Sequence, residues 1–80
     1  MVDEHIVRAI ADMACFLEFS GSKIIDDDAS VAAMEQLSYQ LKQVNLKEKN
    51  EISRILINIA PSYRDQATFV HSLPESLGLC

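Results

Sequence analysis

A chain of 80 residues, 49% hydrophobic and 24% charged, has the length of one small globular domain and too much apolar character for a disordered segment. It has no apolar run near the roughly 20 residues needed to span a bilayer, and Cys15 and Cys80 are too few for a disulfide framework. The net charge of -5 is concentrated in residues 1–40, where eight acids face Arg8 and Lys23, and this field disfavours nucleic acid and favours a basic partner.

The opening Met1-Val2-Asp3-Glu4-His5 has the opposite charge to a secretory leader, so the expected location is the cytoplasm. Asp3 and Glu4 suit a helix start, and Ile6, Ile10, Met13, Ala14 and Leu17 follow at helical spacing until Ser20-Gly21. The first helix is expected over 3–19, with those residues as its core face and Glu4, Arg8 and Asp12 as an i,i+4 ladder on the solvent side.

Asp26-Asp27-Asp28 precede a second helix, expected over 29–44, whose buried stripe is Met34, Leu37, Leu41 and Val44. Val31, Glu35 and Tyr39 recur at i, i+4, i+8 on its other side. Asn45 with Glu48 three residues on reads as a capped start to a third helix over 46–60, its core face being Ile52, Ile55, Leu56 and Ile59. Leu46 and Ile57 fall off that face. Pro61 ends or breaks this helix, a fourth follows over 62–73 with Tyr63, Ala67, Phe69, Val70 and Leu73 inward, and Pro74 closes it. Leu77 and Leu79 imply that the tail packs back onto the bundle. The expected architecture is all-α, a compact four-helix domain over 1–80 built from antiparallel helical hairpins.

Chemistry finds little local support. Cys15, between Ala14 and Phe16 in mid-helix, reads as a packing residue, and neither His5 nor His71 has a partner at catalytic spacing. The histidines and cysteines show no zinc-ligand spacing. Asp26, Asp28 and Ser30 match the first alternating ligands of an EF-hand, but Val31 stands where its glycine belongs and Leu37 where its bidentate Glu belongs. No enzyme, metal or cofactor is expected.

Asp28-Ala29-Ser30-Val31 ahead of an acidic amphipathic helix resembles the start of helix 2 in acyl carrier proteins, although Ala29 separates Asp from Ser and Val31 replaces Leu. Ser30 is then better read as a residue of the helix start. Asp26, Asp27, Asp28, Val31, Glu35 and Tyr39 together have the makings of a protein-binding surface: apolar and aromatic groups bordered by carboxylates. The stretches Ala33-Met34-Glu35-Gln36-Leu37-Ser38-Tyr39 and Phe69-Val70-His71-Ser72-Leu73-Pro74-Glu75-Ser76-Leu77-Gly78-Leu79 resemble small all-helical bacterial immunity proteins of polymorphic or type VI secreted toxins. That resemblance implies a cognate toxin, often a basic enzyme, bound and occluded in the producing cell. The alternatives are a homo-oligomeric structural or adaptor protein, including a homodimer, and a carrier-like protein.

Overall fold

The computed structural model describes residues 1–79, so readings of Cys80 lie outside the described residues. The described chain is helical with no strand: α1 (Glu4–Phe19), α2 (Asp27–Lys42), α3 (Leu46–Ile59), a 3-10 segment (Ala60–Gln66) and α4 (Ala67–Ser76). In place of the expected four separate helices there are three helical stretches, because α3, the 3-10 segment and α4 follow one another with no loop between them, the third stretch being kinked at one non-helical residue, Arg64. The α3 helix ends at Ile59, just ahead of Pro61, as the sequence implies; the chain goes on as the 3-10 segment and changes direction at Arg64, whose φ of 51° and ψ of -114° break the helical geometry.

The helix starts follow from their caps. Asp3 accepts the His5 amide at 2.7 Å, and Asn45 accepts the Glu48 amide while donating its own amide group to the Glu48 carboxylate, both at 2.9 Å. Asp26 caps α2 by accepting the Ala29 amide. That helix therefore runs 27–42 rather than 29–44, with Asp27 and Asp28 inside its first turn, where the helix dipole favours them. The last helix is displaced from 62–73 to 67–76 and runs through Pro74.

Pro74 instead takes part in the helix end. The Leu79 amide donates to the Pro74 carbonyl at 2.8 Å and the Gly78 amide to the Glu75 carbonyl at 3.2 Å, with Gly78 at φ 72°, the pattern of a Schellman cap. A proline inside a helix costs about 3 kcal/mol. Burial of Leu77 and Leu79, at about 1.5–3 kcal/mol each, matches or exceeds that cost, and both side chains are almost wholly buried, as the tail composition implied.

Around α1 the structure corrects the expected core face. Of the expected face Ala14 is buried, but Ile6 and Met13 are exposed and Ile10 and Leu17 half-buried, and the buried side is Val7, Ala11, Ala14 and Cys15. The reason is steric: α1 packs against α2, α3 and α4 at once, and small side chains let those helices approach its backbone. Nor do α2 and α3 form the expected hairpin core, since α2 packs chiefly on α1 while α3 packs on α1 and α4. Ile52, Leu56 and Ile59 of α3 are buried as expected and Ile55 is half-buried, whereas α2 buries Leu41 alone and leaves Met34 and Leu37, with Val44 just beyond its end, half-covered against the core.

The polar ladder on α1 also divides differently. Arg8 pairs with Glu4 at 2.8 Å, but the Asp12 carboxylate turns to accept the Tyr63 hydroxyl at 2.6 Å, tying α1 to the 3-10 segment. Burial first, then that hydrogen bond and the Asp12 charge, push the Tyr63 hydroxyl up to about 12. Burial, helped by Asp12, also pushes the Cys15 thiol up.

Two outcomes follow from these contacts. Gly78→Ala places a Cβ at a left-handed position and against the Lys42 side chain, and should lower the unfolding free energy by about 1–2 kcal/mol in urea melts with an unchanged m-value. The folded chain retains the Tyr63 proton that the unfolded chain releases near pH ~10, so this contribution is full below that pH and is lost as pH rises towards 12. Urea melts across that range should show a steeper loss of stability for the parent protein than for Tyr63→Phe.

Candidate functional site

Because α2 is seated along one side only, its other flank bounds an open groove of about 750 Å³. Ser30 donates its hydroxyl to the Leu17 carbonyl at one end of α2, and Ser38 donates to the Leu77 carbonyl at 3.2 Å further along. These bonds fix α2 against the end of α1 and the C-terminal cap. Val31, Met34, Glu35, Ser38, Tyr39 and Lys42 then line one wall, and Glu18, Phe69 and Ser76 come from α1 and α4.

Three of the six residues singled out in the sequence, Val31, Glu35 and Tyr39, meet in this groove. Val31 and Tyr39 are 56% and 59% exposed, a large apolar area for side chains that burial would favour. Asp27 borders a smaller adjoining hollow with Glu18, Ser30 and Val31. Asp26 is engaged as the α2 cap, and Asp28 is exposed outside the lining of either concavity. The acidic run thus serves α2 first: none of it lines the groove, and Asp27 alone borders the adjoining hollow.

Glu18 and Phe69 are among the groove residues that the sequence reading did not assign to a site. Glu18 had a signal: it continues the Val7, Ala11, Ala14 spacing, so an acid stands where the buried face of α1 runs out, at the helix end whose dipole disfavours it. Phe69 is held by an edge-to-face contact with Phe19, ring centroids 5.2 Å apart, which sets its ring as a half-exposed wall of the groove. Two carboxylates, Glu18 and Glu35, therefore flank aliphatic and aromatic groups, with Lys42 as the cation of the lining.

Outside the groove, the Cys15 thiol and the imidazole side chains lie apart from one another. Cys15 is buried in the core, His5 lies on the first turn of α1, and His71 lies on α4 beside Ile57, Ala60 and Pro61. Among the described residues no group of three His, Cys, Asp or Glu side chains is placed to hold a metal ion, and no helix is long and apolar enough to cross a membrane. The Ser30 hydroxyl, bonded to the Leu17 carbonyl and half-buried, is placed as a join between α1 and α2. Comparison of the chain with protein-family models, with curated proteins and with solved structures gave no match.

Proposed function

We propose that this chain is a non-catalytic protein-binding domain that neutralises a basic toxin by covering its working surface, in the manner of an immunity protein. The observation that carries this reading is the convergence of Val31, Tyr39 and Phe69 with Glu18 and Glu35 in one groove. Aromatic anchors in a pocket supply most of the affinity at protein interfaces, and acids around them accelerate the approach of a basic partner. The two segments that resemble immunity proteins, 33–39 and 69–79, contribute residues to opposite sides of this groove, which supports the same assignment. The chain is expected to act in the cytoplasm beside the toxin it restrains.

Glu35→Lys combined with Tyr39→Ala tests it. Both side chains are exposed, so stability should stay within about 0.5 kcal/mol of the parent. A basic protein co-purifying in one-to-one ratio from the source cells should bind the parent at least tenfold more tightly than the double variant. Its toxicity on separate expression should be relieved by the parent alone. Equal binding of the two forms removes the groove from the interface, and a partner without toxicity removes the immunity assignment.

A further inference from the structure

The outer side of α1 is a second surface, separate from the groove. Ile6, Ala9, Met13 and Phe16 are all exposed, and their 3-4-3 spacing sets them in one stripe opposite the buried Val7, Ala11 and Ala14. We propose that this stripe pairs with the same stripe of a second copy, α1 against α1 in antiparallel sense, to form a two-fold dimer.

Three observations favour a second copy over a basic partner. The first is charge: two chains of net charge -5 repel, and that repulsion is smallest where they meet across a face free of acid. Of the α1 acids, Glu4 is paired with Arg8, Asp12 is turned to the Tyr63 hydroxyl, and Glu18 belongs to the groove. The stripe itself is uncharged and offers a basic partner nothing to recognise.

The second observation is size matching. Antiparallel pairing about the middle of the stripe sets Ala9 opposite Met13 and Ile6 opposite Phe16, and the two-fold axis repeats each pairing. Small meets large in the central layers, as a packed interface requires. Parallel pairing would set Ala9 on Ala9 and Phe16 on Phe16, leaving one layer underfilled and another overfilled.

The third is area. Ile6, Met13 and Phe16 are 59%, 54% and 47% exposed, so with Ala9 they present on the order of 350 Å² of apolar surface per copy. The smallest specific interfaces bury roughly 600 Å² per partner, about 65% of it apolar in homodimers, and the stripe comes close to that apolar share. This predicts a weak, concentration-dependent dimer.

Sedimentation equilibrium up to about 1 mM protein tests the pairing, with far-UV circular dichroism confirming that each variant is helical. The parent should shift from monomer to dimer with rising concentration, and Ala9→Glu or Met13→Lys alone should raise the dissociation constant at least tenfold. Mixing Ala9→Glu with Met13→Lys should restore a heterodimer, since antiparallel pairing sets position 9 of one chain against position 13 of the other. The Glu35→Lys, Tyr39→Ala double variant should dimerise like the parent, which keeps this outcome separate from that of the groove. A parent that stays monomeric at every concentration overturns the proposal, as does a dimer indifferent to both stripe substitutions. A mixture that stays monomeric overturns the antiparallel sense. A monomeric parent whose toxin binding is lost on Ala9→Glu gives the stripe to that partner instead.

Discussion

Everything in this molecule is arranged around a helix that carries apolar side chains on two opposite faces. Helix α1 touches each of the other α-helices, and the contact is possible because Val7, Ala11, Ala14 and Cys15 are small enough for close approach. A molecule only 18 Å through its shortest axis is about two helices thick, so no helix in it can be enclosed on every side. The larger apolar side chains of α1 are consequently displaced to its outer face. The exposed stripe and the tightness of the core are two results of one packing choice.

The second half of the chain answers a different constraint. Between Leu46 and Ser76 helix follows helix without a loop, and the chain folds back on itself through the 3-10 segment, where Arg64 leaves helical geometry for an unfavourable conformation. The return is secured at both ends: the Tyr63–Asp12 hydrogen bond ties the bend to α1, and the Schellman cap at Gly78 carries Leu77 and Leu79 into the core. With α1, α3 and α4 satisfied by one another, α2 lies at the edge, and the groove exists because it does.

Much of this was legible from residue order, and the departures have physical causes. Asp3 and Asn45 with Glu48 mark helix starts unambiguously, since a lone capping side chain stands at the right offset. At Asp26-Asp27-Asp28 three equivalent caps compete, and the register of α2 depends on which one is used. Helical spacing also leaves α1 two apolar faces that share Ala14: Ile6-Ile10-Met13-Ala14-Leu17, the expected one, and Val7-Ala11-Ala14, the buried one. Hydrophobicity favours the larger side chains, whereas the demand of three packed neighbours favours the smaller, and that demand is invisible in a linear pattern. Val31, Glu35 and Tyr39 were readable as one helix side, but Glu18 and Phe69 join them only through tertiary packing, which no local spacing encodes.

The thin burial of α2 has a dynamic consequence. Native proteins open in units whose free energies follow their share of buried contacts, and a 16-residue helix with Leu41 as its one fully buried residue belongs to the low end of that range. Amides of α2 should then exchange with solvent by local opening at a lower free energy than those of the more deeply buried α1 and α3. Any partner that seats in the groove must hold α2 in place as it binds. Its affinity is therefore reduced by the fraction of time that the helix is undocked, and its arrival slows exchange along the whole of α2, including turns that it never touches.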